Sequence, residues 1–114
     1  MQIETFLNML KEAESEYNHA AEQVELENKR TSDYLHKLEL EDMPYNERAK
    51  LSTKLKACRK RRRKHKDVCE ELEPIVQFVQ TNQPIIKKLE QTLGAVRKQE
   101  KYHENRQYFP RTDA

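Results

Sequence analysis

The sequence predicts an all-α protein: a long antiparallel helical hairpin plus a shorter third helix, a coiled-coil-like three-helix bundle that is oligomeric. Three observations lead there. Charged residues make up 37% of the 114 residues and hydrophobic residues 35%, a balance that suits charge-laced helices held by a narrow apolar seam. One glycine and four prolines leave little material for tight strand turns, phosphate-cradling glycine loops or nucleophile elbows. Apolar residues also recur at three- and four-residue steps along two long stretches. Residues 1–114 are expected to form a single helical domain.

The first helix is expected over about residues 2–41. Ile3, Phe6, Leu7, Leu10, Ala13, Tyr17, Ala20, Ala21, Val24, Thr31, Leu35 and Leu38 keep to one helix face, and no Gly or Pro interrupts them. Leu40 to Tyr45 reads as a turn, with Pro44 suited to the start of a second helix over about 44–80. In that helix Leu51, Leu55, Cys58, Arg62, His65, Cys69, Leu72, Val76 and Val79 alternate four- and three-residue steps. Folding the pair about the turn sets Leu51 against Leu35, Leu55 against Thr31, Cys69 against Tyr17 and Val76 against Leu10. Pro74 removes a backbone donor and predicts a kink.

A second turn at Thr81 to Pro84 precedes a third helix over about 84–105, with Ile85, Ile86, Leu89, Leu93 and Val96 as its stripe and Gly94 off it. Returning antiparallel along the second helix, it would set Leu93 on Leu72, Val96 on Val68 and His103 beside Arg61. Residues 106–114 form a tail. Because the third helix is short, the hairpin end near Pro44 is left bare, which predicts a homo-oligomer.

Charge is distributed unevenly, at −7 over residues 1–42, +6 over 43–73 and +3 over 74–114. An acidic helix beside a basic one is the plain reading. Lys54, Lys56, Arg59, Lys60, Arg61, Arg62, Arg63, Lys64 and Lys66, however, put nine cations into thirteen residues. They point all round a helix axis, so the first helix can neutralise only some of them. The block is either a solvated face with ion pairs or an anion site for nucleic acid or a small phosphate-bearing ligand.

The expected return of the third helix delivers His103 and the tail to this block. Arginine forks grip phosphate and aromatic rings stack on bases, so the expected ligand-binding set is Arg59, Arg62, Arg63, His65, His103, Arg106, Tyr108, Phe109 and Arg111. In an oligomer this site would lie between subunits. A plainer role for Tyr108 and Phe109 is a hydrophobic clasp on the bundle. For Arg62 and His65 the plainer role is a polar layer that sets register, with Glu27, Asn28 and Glu100 as partners.

Other chemistries find little support. Glu16 to His19 and Glu100 to His103 repeat E-x-x-H, but the first pair falls off the seam and only three helices are available for a di-metal site. Too few heptads follow the basic block for a parallel basic zipper. Cys58 and Cys69 stand about 16 Å apart on one helix and cannot pair. No stretch is long and apolar enough to span a bilayer, and the amino terminus lacks a signal-peptide pattern. The expectation is a cytoplasmic, non-enzymatic protein without cofactor or membrane partner.

The run Leu40-Glu41-Asp42-Met43-Pro44-Tyr45-Asn46-Glu47-Arg48-Ala49-Lys50-Leu51, the Arg-rich helix after it and the ending from Lys101 to Arg111 resemble small all-helical proteins of phages and prophages of Gram-positive bacteria. That resemblance implies a non-enzymatic binding role in the host cytoplasm without fixing its target, and some such proteins act against host defence. Such a role is either inhibition of a host protein or sequestration of a nucleotide immune signal in pockets of a compact oligomer. Arg and aromatic residues without an acid–base pair or metal set favour sequestration of a small anionic, nucleotide-derived ligand. The alternative is an interaction protein that grips a host protein or nucleic acid through its basic helix.

Overall fold

The computed structural model describes residues 1–112 and contains three helices: α1 (Gln2–Leu40), α2 (Tyr45–Thr81) and α3 (Gln83–Glu104). Helix α1 packs mainly against α2. All three helices lie within a residue of their expected bounds, and α2 runs as helix through Pro74. The molecule is a rod of 98 × 27 × 17 Å with a radius of gyration of 26.3 Å. A compact domain of this length would have a radius of about 13 Å.

Heptad spacing explains the hairpin. Each of the nine expected seam positions of α2, Leu51 through Val79, is buried or half-buried. On α1 the inward track follows Ile3, Leu7, Leu10, Ala13, Tyr17, Ala20, Val24, Glu27, Thr31, Tyr34 and Leu38. Leu35, expected opposite Leu51, is instead 51% exposed, and Tyr34 takes the inward place. Holding a 3.5-residue repeat on a 3.6-residue helix moves the seam slowly round the axis, so a straight-helix reading slips by one position towards the end.

The expected return of α3 along α2 does not occur. Leu93 joins Leu7, Leu10, Val79 and Ile86 in one buried cluster, flanked by Ile3, Ile75 and Leu89. Arg97 reaches Glu4, with Nη2 2.9 Å from Oε1. Leu93 is therefore not on Leu72, and His103 is not beside Arg61. The cause lies in the connection. Only Asn82 separates α2 from α3, at φ −124° and ψ 30°, whereas antiparallel helices need a loop of about two to five residues. Asn82 Nδ2 donates to the Phe78 carbonyl and Gln83 Nε2 to that of Val79, so side chains satisfy the end of α2 without a reversal. Helix α3 bends across the α1 amino-terminal end and extends the rod.

Candidate anion-binding surface

Midway along the hairpin the seam turns polar. Glu27 stands three residues after Val24 and four before Thr31, a spacing that directs it inward, and it is 1% exposed. Its Oε1 accepts from Arg30 Nη1 at 2.6 Å and from Arg61 Nε at 3.0 Å. Its Oε2 accepts from Arg61 Nη2 at 3.4 Å and from the Cys58 thiol at 2.9 Å. Cys58 is fully buried, and Thr31 closes the cluster with Oγ1 3.3 Å from its sulfur and 2.8 Å from the Glu27 carbonyl, to which it donates. One thiol proton serves one acceptor at a time, and the carboxylate is the nearest.

This arrangement holds the Glu27 carboxyl at a pKa of about 2, below its ordinary 4.5. Hydrogen bonding from Arg61 is the main cause and outweighs the opposing effect of burial. Glu27 is thus a buried anion, and it consumes one cation of the basic block. Burial pushes the other thiol, Cys69, upward, away from nucleophilic reactivity.

The rest of the block divides by helix face. Arg62 donates from Nε to Asn28 Oδ1 at 2.7 Å, the partner expected for it, and His65 is half-buried on the seam. Glu27, expected to serve Arg62 or His65, serves Arg61 and Cys58 instead. Lys56, Arg59, Lys60 and Arg63 follow i, i+3, i+4, i+7, stand on one face turned away from α1, and are all exposed. Arg63 has a loose exposed pair with Asp67 at 3.8 Å. Among the described residues Lys54, Lys56, Arg59, Lys60, Lys64 and Lys66 form no salt bridge.

The expected set of nine residues is therefore not gathered within one chain. Arg62 and His65 face the seam, and Arg59 and Arg63 face solvent. His103, Arg106, Tyr108, Phe109 and Arg111 follow the Arg97–Glu4 contact. Glu4 lies 23 residues from Glu27, about 35 Å along α1. Tyr108 and Phe109 are 84% and 75% exposed, so they form no clasp on the bundle. The Arg106 guanidinium sits 5.6 Å from the centre of the Tyr102 ring, an exposed cation–π contact. Residues 113–114 of the tail lie outside the described residues.

Reading the sequence missed the Glu27–Cys58–Arg61 cluster as a unit. The signal was the empty place in the α1 heptad track between Val24 and Thr31, which pairs across the hairpin with residues 58–61. Among the described residues no group of three or more His, Cys, Asp or Glu side chains is placed to hold a metal ion, and no helix is long and apolar enough to cross a membrane. No protein-family model, curated protein or solved structure matches the chain.

Proposed function

We propose that this is a non-enzymatic helical binding protein whose outward cationic stripe on α2 engages the phosphate backbone of nucleic acid. The observation that carries the reading is the exposed face of Lys56, Arg59, Lys60 and Arg63, while the buried acid opposite the block is spent on Arg61. A convex ridge of cations cannot enclose a small ligand, but it can lie along a polyanion and release its counterions. Binding of a labelled oligonucleotide tests this. Four phosphate contacts predict a slope of about −3 for log affinity against log salt on single strands. Replacing Lys56, Arg59, Lys60 and Arg63 together by Ala is expected to weaken binding at least about tenfold with helical circular dichroism unchanged. A slope near zero, or full binding by that variant, overturns the reading.

A second reading, sequestration of a small nucleotide-derived ligand by a homo-oligomer, is supported by two exposed regions. The tail aromatics Tyr108 and Phe109 are exposed, and Leu35, Leu40 and Tyr45 leave apolar surface bare at the Pro44 end, at 51%, 78% and 80% exposure. A second copy could cover that end and bring its tail to the block, completing the phosphate and base contacts between subunits. Native mass spectrometry separates the readings. An oligomer carrying releasable nucleotide supports sequestration, and a ligand-free species that binds oligonucleotide supports the phosphate-backbone reading. We further propose, on the resemblance to phage helical proteins, that either activity is exercised in a host cytoplasm.

A further inference from the structure

We infer that the end of α3 and the tail form a second contact site, specific for unpaired bases, so that the protein holds single-stranded nucleic acid at two places along its rod. The inference rests on the phosphate-backbone reading of the α2 stripe and adds the class of nucleic acid and a length requirement. Three observations carry it.

The first is composition. Lys98, Lys101, Tyr102, Arg106, Tyr108, Phe109 and Arg111 interleave cations with aromatic rings, and all are exposed. Rings with free faces stack on bases of any sequence, and neighbouring cations neutralise the phosphates between them. A duplex keeps its base faces covered, so this chemistry selects single strands. The second is local geometry. Arg106 already lies over the Tyr102 ring at 5.6 Å, with the His103 ring 6.0 Å from it, so a cationic, aromatic platform exists at the end of α3 before any ligand arrives.

The third is distance. The short connection at Asn82 sends α3 away from the block, and the Arg97–Glu4 contact anchors it about 35 Å from the Glu27 level. Tyr102 and the tail lie further out, which puts the two sites about 40 Å apart. A stacked strand that rises 3.4 Å per nucleotide along its axis needs about 12 nucleotides to reach from one to the other, and an extended strand about half as many. A shorter strand occupies one site at a time. A longer one links them, and the second contact then forms at high effective concentration.

Fluorescence anisotropy of the full chain with labelled oligothymidylates of 5 and 20 nucleotides, and with a 20-base-pair duplex, tests this. The double variant Tyr108→Ala, Phe109→Ala changes only exposed side chains, so its fold is preserved. It is expected to bind the 20-mer about tenfold or more weaker than the unmodified chain, while binding the 5-mer within about threefold and the duplex unchanged. Longer strands offer more binding registers, but that advantage is shared by both proteins and cancels in the ratio. Equal affinity of the two proteins for the 20-mer overturns the inference. So does an equal loss on strand and duplex. If the unmodified chain binds the 20-mer with a steep salt slope and the tail variant matches it, the stripe reading stands and the second site falls. If neither protein binds any oligonucleotide, both fall.

Discussion

Two stretches of the same α1–α2 seam, one at its amino-terminal end and one midway, are held together by opposite means. Near the amino terminus Leu7, Leu10, Val79, Ile86 and Leu93 form a dry junction of three helices. About 20 residues further along α1, the hairpin closes on a carboxylate, a thiol, a hydroxyl and two guanidinium groups. Apolar burial is non-directional: it supplies free energy and tolerates sliding. The polar layer is directional. Glu27 meets Cys58 and Arg61 in one register only, and a shift of one turn would take both from the buried carboxylate and leave it Arg30 of its own helix. The comparison teaches that the junction stabilises the rod and the polar layer sets its alignment.

The largest effect is expected at the junction. Leu93→Ala should lower unfolding stability by about 2–4 kcal/mol in urea and release α3, seen as fast amide exchange over residues 83–104 while the α1–α2 core stays protected. Uniform loss of protection along the whole rod would show instead that the junction and the polar layer form one cooperative unit.

Next comes the polar layer. Glu27→Ala removes the carboxylate that Arg61 and Cys58 share, leaves the buried thiol only the main-chain carbonyl of residue 27 and the Thr31 hydroxyl, opens a cavity in the seam and should cost about 2–3 kcal/mol, whereas Glu27→Leu restores packing and should lie within about 1.5 kcal/mol of the parent. Equal, large losses from both would mean that the layer supplies stability more than alignment. The same carboxyl predicts an acid response. Its folded pKa of about 2 lies below the ordinary 4.5, so its contribution is complete above about pH 4.5 and disappears as pH falls towards 2. Glu27→Gln should flatten the dependence of urea midpoint on pH across that window.

The smallest effect is expected at the α1–α3 ion pair. Arg97 and Glu4 meet at 2.9 Å, but their side chains are 56% and 44% exposed, so Arg97→Ala should cost less than about 1 kcal/mol and lose even that in high salt. A larger loss of α3 protection would assign the ion pair a share in directing α3.

Much of this architecture was legible in the residues. The 4-3 spacing from Leu51 to Val79 named nine positions of α2 that are all buried or half-buried, though not the half-buried Ala57, Val68 and Ile75 beside them, and Pro44 marked the start of that helix, because local spacing decides which side chains share a face. The candidate site was less legible. Arg62 was expected inward and found its partner Asn28, but the adjacent Arg61 took the buried acid, a choice set by side-chain reach across the hairpin. His103, Arg106, Tyr108, Phe109 and Arg111 were expected at the block because α3 was expected to turn back.

The sequence by itself determined three helices, their bounds to within a residue, an antiparallel hairpin and a cationic block too dense to be neutralised along one acidic helix. Each of these follows from short-range periodicity, proline placement or charge count. Tertiary structure decided where α3 lies and which cations remain outward. Leu93 had apolar partners on offer both at Leu72 and at Leu7 and Leu10, and hydrophobic contact does not distinguish between them. The one-residue hinge at Asn82 does, because it cannot reverse the chain, and it thereby separates the tail from the basic stripe.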